Sequence, residues 1–413
     1  MTPQPSWPHA RSYFHPFDFY QDEPPHVRNC WGELLKLPAR LDYTIQKCIA
    51  EGGFGMVFQA QSHKILSFTD SKNEVGNYSR EGELVAIKIY TRGVADAGDL
   101  SVINEKEAER ECAILSILSS SHVQQNKFVI QLVDTIVGCI SKLPFALVFP
   151  FFPCSKYLSY CSCLTSQQLK AYMYGLFSAL DFIHAIGIIH HDIQPGNCLF
   201  RCETLEFKLI DFGLALSTLD PGYVQNPSAT RYSRTTALTY IKDYKCKHVY
   251  DAGGTHGFRA PEVLLECGLH SSAVDIWSSG AIFVALLNKH TDWSWFGNWP
   301  TERRKRFKEF ETRKGIAELI AAFGVQKLID AAKVFYYPYC ETLKTTTYSF
   351  ENVGLKKGSI VTIENALSNR VTTLSSDDAY SLAAFELTKQ CLELKPGSRL
   401  TAKSALQSSF FNS

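Results

Sequence analysis

Apolar positions in the first part of the chain recur in short runs that are typical of strands. The strand-like runs are residues 43–45, 56–60, 84–90 and 143–152. Residues 61–82 are rich in Gly, Ser, Asn and charge, and this composition predicts a surface loop inserted between strands. Residues 104–118 instead have helical spacing, because apolar side chains share one face. These side chains are Ala108, Cys112, Leu115 and Leu118.

Apolar spacing becomes helical in the second part of the chain. Between Gln167 and Ile186, apolar residues recur at steps of three and four, which predicts a helix buried along one stripe. They are Leu169, Met173, Leu176, Leu180 and Ile183. Residues 372–392 and 401–410 are predicted to be helical as well. Long polar, turn-rich stretches at 214–252 and 341–375 are predicted to be insertions.

Together these patterns predict an α+β fold with two lobes. Residues 1–42 are rich in Pro and aromatic residues without periodicity, and we interpret them as an N-terminal extension. Residues 43–153 form a small β-rich lobe with one helix. Residues 154–413 form a larger, mainly helical lobe that carries the two insertions.

Composition and charge exclude several classes of protein. The 413 residues include 42 Lys+Arg and 41 Asp+Glu, and the net charge of +1 argues against direct nucleic-acid binding and membrane attachment by charge. No apolar run has the length of a bilayer span, and the first residues lack the features of a secretion signal. The 13 cysteines lack the paired spacing of a zinc ribbon or a secreted disulfide framework. Cys161 and Cys163 are predicted to be reduced thiols, and a metal site at Cys246, His248 and Cys267 is the disfavoured alternative. We therefore expect reduced thiols and an intracellular location, in the nucleus or cytoplasm.

Glycines cluster between residues 49 and 57, in the turn between the first two predicted strands. Because glycine has no side chain, backbone N–H groups can approach phosphate oxygens closely there, and Phe54 could fold over them. A glycine-rich hairpin alone is common. Phosphate binding is favoured for this hairpin because Val85-Ala86-Ile87-Lys88 follows as a strand that carries a lysine.

A lysine at the end of such a strand binds phosphates well only if a carboxylate holds it in place. Glu111 is the candidate partner of Lys88, because the spacing Glu-x-x-Ile-Leu matches the helix pattern that accompanies such lysines. The alternatives on the same predicted helix are Glu105, Glu107 and Glu109.

Three polar residues follow in the order expected of a phosphoryl-transfer site. Asp192 lies in the run His190–Asn197 and is a candidate catalytic base that accepts or orients a hydroxyl proton. Asn197 and Asp211 supply oxygen ligands suited to Mg²⁺, and Asp211 opens the triplet Asp-Phe-Gly. A turn aspartate and a capping asparagine are the structural alternative, which the combined order and spacing disfavour.

Three downstream motifs support this interpretation. Residues 255–262, ending in Ala-Pro-Glu, are predicted to close a segment that carries the substrate. These motifs resemble those of protein kinases, and the resemblance implies that Asp275 fixes the backbone around Asp192 and that Arg399 pairs with Glu262 inside the larger lobe.

With these motifs, the chain from Tyr43 to Phe411 resembles the eukaryotic protein kinases. It looks most like the cell-division-cycle-seven kinases, the catalytic subunits that license replication origins. The stretches that carry this closer resemblance are residues 254–264, 318–324 with 329–335, 377–382 and 392–396.

The resemblance implies ATP and Mg²⁺ as cofactors and protein Ser/Thr hydroxyls as substrates. It also implies a regulatory subunit and replicative helicase subunits as substrates, modified at sites followed by an acidic residue. Arg259 would read that acidic residue or form an ion pair inside the lobe. The nucleotide-binding positions that it implies are Ile49, Gly52, Gly53, Phe54, Gly55, Val57, Ala86, Lys88, Phe151 and Phe152.

The chain departs from the kinase pattern at Ala50, His191 and Gln194. Ala50 replaces the first loop glycine, and His191 replaces the Arg that usually clamps a phosphate on the activation segment. Gln194 replaces a catalytic Lys, so we count it among the catalytic residues and expect reduced activity. Thr255, which usually bonds that Lys, would bond Gln194 instead. The alternative function is a pseudokinase scaffold that binds nucleotide and partners with little or no transfer.

Overall fold

The structure, a computed structural model, divides into two compact units. It describes residues 43–52, 55–63, 66–69, 75–79, 83–90, 105–119, 126–137, 144–154, 161–217, 254–255, 257–265, 270–287, 315–316, 319–320, 322–335 and 379–412. The first unit contains the described residues up to 119 and 130–153, and the second contains 126–129 and the residues from 154 onward. The predicted extension 1–42, nearly all of insertion 214–252 and all of 341–375 lie outside the described residues.

The first unit is built on an antiparallel sheet of five strands in the order β1-β2-β5-β7-β6. The strands of this unit are β1 (Tyr43–Gly52), β2 (Gly55–Ser62), β3 (Leu66–Thr69), β4 (Val75–Ser79), β5 (Leu84–Tyr90), β6 (Asp134–Val137) and β7 (Pro144–Pro150). Alternate residues point to opposite faces of a strand. Those on one face form the main apolar cluster of the unit, which includes Phe58, Val85, Ile87, Ile89 and Val148.

The prediction of a surface loop over residues 61–82 is wrong in part. Strand β2 continues to Ser62, and β3 and β4 form a separate antiparallel hairpin within the stretch. Residues 66–69 read Leu-Ser-Phe-Thr, an alternation of apolar and polar residues that favours a strand. The surrounding Gly, Ser and Asn residues hid this short alternation.

Helix α1 (Glu105–Leu118) supplies the helical element predicted in the first unit. Ala108, Leu115 and Leu118 are buried, whereas Cys112 is partly buried. The helix contacts β5 and β7. The apolar stripe therefore holds α1 against the sheet, and this fixes where its polar residues can reach.

The second unit is mainly helical. Its elements are α2 (Ser166–Ala185), β8 (Ile188–Ile189), β9 (Cys198–Arg201), β10 (Glu206–Leu209), β11 (Leu216–Ser217), α3 (Pro261–Leu264), α4 (Ala273–Leu287), α5 (Val325–Phe335), α6 (Ala379–Cys391), α7 (Ala402–Leu406) and α8 (Ser409–Asn412). Thr165 and Gln168 form a capping box at the start of α2. The five apolar residues predicted to line this helix are all buried. None of the helices in the described part of the chain is both long and apolar enough to cross a membrane.

The C-terminal helices differ in their bounds from the sequence prediction. Residues 401–410 were predicted as one helix, but the chain turns at Gln407 and Ser408 between α7 and α8. In the predicted helix 372–392, the described helical residues begin at Ala379, and residues 372–378 lie outside the described part. Phe410 anchors α8 because its ring is fully buried and contacts Phe283 of α4. Burial of this ring, which local spacing does not reveal, favours the two-helix arrangement.

Candidate active site

Lys88 and Glu111 form a buried ion pair in the first unit. The Lys88 ammonium nitrogen lies 2.7 Å from Glu111 Oε2, and both residues are buried. Strand β5 and helix α1 supply one partner each, so the pair fixes the helix to the sheet. The side chains of the alternative candidates Glu105, Glu107 and Glu109 lie outside the described part of the chain.

The glycine-rich turn connects β1 to β2, with Gly52 opposite Gly55 in the register. Gly55 has φ +146°, and a side chain there would bring Cβ within 2.0 Å of the Ile89 carbonyl oxygen, so only glycine fits. Gly53 and Phe54 lie outside the described residues. Gly55 thus lets strands β2 and β5 approach closely, and the approach of the turn to phosphate oxygens stays a prediction.

Val57, Ala86 and Lys88 lie on the face of the sheet opposite the main apolar cluster. Val57 is directly opposite Lys88 in the register of β2 and β5, and Ala86 is two residues before Lys88. Ile49 lies on β1 and is partly buried. The structure therefore brings an apolar surface and an ammonium group together on one face of the sheet.

Phe151 and Phe152 follow the end of β7 and are partly buried. The Phe151 backbone N–H donates to the Leu84 carbonyl oxygen at 3.2 Å, which ties this segment to the start of β5.

Asp192 is the centre of a hydrogen-bond cluster in the second unit. Thr255 Oγ1 donates to Asp192 Oδ1 at 2.8 Å, and Gln194 Nε2 donates to Oδ2 at 3.0 Å. The Asn197 amide nitrogen also donates to Oδ2, at 3.0 Å, and to the Asp192 carbonyl oxygen, at 2.8 Å. The expected bond between Thr255 and Gln194 is therefore wrong. Both side chains donate to the carboxylate, which is the stronger acceptor.

The surroundings of the Asp192 carboxyl group raise its pKa, and this favours a role as a base. Burial, and then the negative charge of Asp211, raise its pKa above the ordinary value of 3.8. Hydrogen bonds from Thr255 and Gln194 and the nearby His190 act in the opposite direction. A raised pKa makes the carboxylate a better proton acceptor, and the three donors hold it in a fixed orientation.

Asp275 fixes the backbone that carries Asp192, as the sequence predicted. Its carboxylate accepts from the backbone N–H groups of His190 and His191, each at 2.8 Å, and lies 2.8 Å from the His184 ring. Burial raises the pKa of Asp275, but the hydrogen bond and charge of His184 and the contacts with His190 outweigh it, so the pKa is lowered. The left-handed backbone at His191, with φ +66°, is thus held by a buried carboxylate.

Asn197 and Asp211 are the candidate metal ligands. The Asn197 amide nitrogen faces Asp192, which leaves its amide oxygen as the ligand atom. Asp211 lies near enough to raise the pKa of Asp192, and its Oδ1 accepts from the Gly213 backbone N–H at 3.2 Å. An amide oxygen and a carboxylate suit a hard divalent cation, which takes its remaining ligands from phosphate and water. Among the described residues, no three His, Cys, Asp or Glu side chains surround a common ion position.

His191, in place of the usual Arg, contacts another histidine. Its Nε2 lies 2.7 Å from His270 Nδ1, and the two rings stack at 4.8 Å. Burial lowers the pKa of His270, although the Glu262 carboxylate raises it. A neutral His270 is therefore favoured near pH 7, and it is well placed to share one proton with His191.

Arg399 and Glu262 form the predicted buried pair, with Arg399 Nη2 2.7 Å from Glu262 Oε2. Arg259 is also buried, and its Nε donates to the Gly254 carbonyl oxygen at 2.7 Å. This bond ties Arg259 to its own segment. Both expected roles of Arg259, the contact with an acidic substrate residue and the internal ion pair, stay predictions.

Sequence reasoning missed two residues at these clusters. Tyr90 donates from its hydroxyl to Glu111 Oε2, and its place two residues after Lys88 was the available signal, because such residues share a face. His270 lies 79 positions from His191, and no local pattern connects them.

The described cysteines, among them Cys161 and Cys163, form no disulfides. Burial raises the pKa of Cys154 to about 11. A pKa this high favours the protonated thiol near pH 7, which is a poor nucleophile.

Comparison with known proteins agrees with this geometry. The family model described as "Protein kinase domain" matches residues 73–411. The cell cycle serine/threonine-protein kinase hsk1 of Schizosaccharomyces pombe is 27% identical, over 89% of this chain and 72% of the relative. "Probable cell division control protein 7 homolog 1" of Encephalitozoon cuniculi is also 27% identical, over 90% of this chain and 92% of the relative. The cell cycle protein kinase spo4 of S. pombe is 25% identical, over 90% and 85%.

These matches cover most of the chain, including the Lys88–Glu111 ion pair and the hydrogen-bond cluster around Asp192. The chain therefore belongs to the protein kinase family, and it is a protein serine/threonine kinase similar to the cell-division-cycle-seven kinases.

Proposed function

We propose that this kinase transfers the γ-phosphoryl group of ATP to Ser or Thr hydroxyls of proteins, with Mg²⁺ as the metal. In this proposal Asp192 accepts or orients the hydroxyl proton, and Asn197 and Asp211 hold the metal. Lys88, kept in place by Glu111, pairs with the α- and β-phosphates. The observation that carries the proposal is the Asp192 carboxylate, oriented by three donors on a backbone that Asp275 holds.

The bound metal would neutralise charge on the phosphate oxygens. The chain itself supplies orientation and a proton acceptor. The pKa of Asp192 is raised, and both of its carboxylate oxygens accept hydrogen bonds from the chain. These bonds fix the carboxylate, so it can orient a substrate hydroxyl. Gln194 donates a neutral hydrogen bond where a lysine would bring charge. Loss of a charged contact costs a few kcal/mol, so we expect catalysis about a hundredfold slower than with lysine.

We further propose that residues 43–153 form the nucleotide-binding lobe and residues 154–413 the substrate lobe. The hairpin glycines Gly52, Gly53 and Gly55 would present backbone N–H groups to phosphates, with Phe54 above them. The remaining nucleotide contacts would come from Ile49, Val57, Ala86, Phe151 and Phe152. The shared face of Val57, Ala86 and Lys88 supports this assignment.

The biological role that we propose is initiation of DNA replication in the cell cycle, within the nucleus. Support comes from relatives named as cell cycle kinases and cell division control protein 7 homologs. The same likeness supports a regulatory subunit and replicative helicase subunits as substrates, at hydroxyls followed by an acidic residue. Arg259 is the candidate reader of that acidic residue.

A transfer assay tests the proposed chemistry. The full chain, together with any subunit that copurifies with it, is incubated with Mg²⁺ and ATP labelled in the γ-phosphate and with a Ser peptide whose next residue is acidic. We expect labelled peptide from the wild type and none from Asp192→Asn, because the amide cannot accept the proton.

Asp330→Asn is the matched control, because it removes the same charge from an exposed position on α5 of the same unit. It should label the peptide as well as the wild type. Nucleotide binding by the wild type without labelling, with or without a copurified subunit, would support a pseudokinase scaffold instead. Equal labelling by Asp192→Asn would remove Asp192 from the chemistry.

A further inference from the structure

Tyr90 joins the Lys88–Glu111 ion pair as a third member. It lies at the end of β5, two residues after Lys88, so both side chains project from the same face of the strand. Its hydroxyl donates to Glu111 Oε2 at 2.5 Å, the same oxygen that Lys88 approaches at 2.7 Å. The Lys88 ammonium also lies 5.2 Å from the centre of the Tyr90 ring.

All three side chains are buried, and Tyr90 has no exposed surface. Taking Lys88 and Glu111 out of water is costly, and their attraction offsets that cost only when further hydrogen bonds complete the site. The Tyr90 hydroxyl provides such a bond to the carboxylate. Its ring provides a cation–π contact to the ammonium. A single residue thus stabilises both charged partners.

The bond from Tyr90 also links helix to sheet independently of Lys88. Glu111 belongs to α1, whereas Tyr90 belongs to β5. Even when Lys88 turns toward a phosphate, the hydroxyl can keep Glu111 at the same position. The Glu111 carboxylate then stays in the position from which it orients the Lys88 ammonium during nucleotide binding.

We propose that Tyr90 is a positioning residue for phosphate recognition. It holds Glu111 against the sheet so that Lys88 is presented to the α- and β-phosphates of the nucleotide. The proposal rests on the proposed role of Lys88 as a phosphate ligand. What is added here is that the hydrogen bond from Tyr90 aligns the Lys88–Glu111 ion pair.

Tyr90→Phe tests the proposal, because it removes one hydroxyl and keeps the ring. Binding of MgATP and of adenosine to the full chain would be measured at equilibrium. We expect the Kd for MgATP to rise about fivefold to tenfold, the size of effect typical of one lost hydrogen bond. The Kd for adenosine should not change, because adenosine has no phosphate.

Tyr43→Phe is the matched control. The Tyr43 hydroxyl donates to Asp134 Oδ2 at 2.6 Å in the same sheet, so this variant also loses one tyrosine–carboxylate bond. It should change neither Kd. If both variants weaken MgATP and adenosine alike, Tyr90 is merely structural and the proposal is overturned.

A double-mutant cycle shows whether Tyr90 acts through Glu111. In a Glu111→Gln background, Tyr90→Phe should cause little further loss of MgATP affinity, because the carboxylate it orients is gone. Full additivity would overturn the proposal.

Lys88→Met separates this proposal from the function beneath it. If Lys88→Met weakens MgATP binding but Tyr90→Phe does not, only the role of Tyr90 is overturned. If Lys88→Met has no effect on MgATP, the phosphate role of Lys88 fails and the proposal for Tyr90 falls with it.

Discussion

Replacing Glu262 by Gln is predicted to destabilise the second unit strongly. Glu262 and Arg399 have side chains that are 1% and 0% exposed, and the guanidinium contacts both carboxylate oxygens. Arg399 also donates to the carbonyl oxygens of Glu393, Ala273 and Leu394. The guanidinium therefore cannot move to another acid or to water when the carboxylate is lost. Glu262→Gln would leave a buried positive charge without a counter-charge.

Removing one partner of such a pair costs about 3–5 kcal/mol of the free energy of unfolding. The same substitution at Glu206 is the control, because Glu206 pairs with Arg201 at 2.8 Å but the two side chains are 54% and 27% exposed. Exposed pairs contribute at most about 1 kcal/mol. The structure thus predicts a difference of a few kcal/mol between two identical chemical changes.

Urea unfolding followed by tryptophan fluorescence measures this difference. Trp277 is a suitable reporter because it is buried and the Arg399 guanidinium lies 5.0 Å from its ring. Glu262→Gln should lower the urea midpoint clearly, and Glu206→Gln should scarcely change it. Equal shifts of the urea midpoint for the two variants would refute the argument that burial determines how much an ion pair contributes to the free energy of unfolding.

Two further predictions concern the catalytic cluster. Asp192 must be ionised to accept a proton, so kcat should fall as pH decreases through its raised pKa. Thr255→Val removes a hydrogen bond that lowers this pKa, so the acid limb of the pH profile of kcat should move to higher pH; an unmoved limb would contradict this. Phosphatase treatment should leave kcat/KM unchanged, because His191 contacts His270 and carries no fixed charge to clamp a phosphate on residues 214–252. A many-fold loss of activity after dephosphorylation would contradict the second prediction.

Sequence patterns predicted those parts of the site that depend on local motifs. Lys88 lies near the end of an apolar strand and Glu111 lies in a recognisable helix pattern, so their pairing followed from two short segments. Asp275 was likewise predicted from its own helix, and it does hold the backbone at His190 and His191. In such cases the local sequence of each segment predicts its helix or strand, and the fold brings the two residues into contact.

Other features depend on distances that no local pattern encodes. Thr255 lies 63 positions from Asp192, and no local pattern shows whether its hydroxyl will donate to Asp192 or to Gln194. The hairpin of β3 and β4 was hidden by turn-rich composition, because four alternating residues are too few to outweigh their neighbours. Tyr90 lies two residues after Lys88 in the predicted strand, but the bond from its hydroxyl to Glu111 spans 21 positions of the chain.

The most direct test of the central claim is the metal dependence of phosphoryl transfer. Phosphate incorporated into a Ser peptide from ATP would be quantified by mass spectrometry while Mg²⁺ is varied, for the wild type and for Asp211→Asn. The account predicts incorporation by the wild type that requires Mg²⁺, and almost none by Asp211→Asn at any Mg²⁺ concentration. Equal incorporation by both proteins, or incorporation by the wild type without any divalent metal, would contradict it.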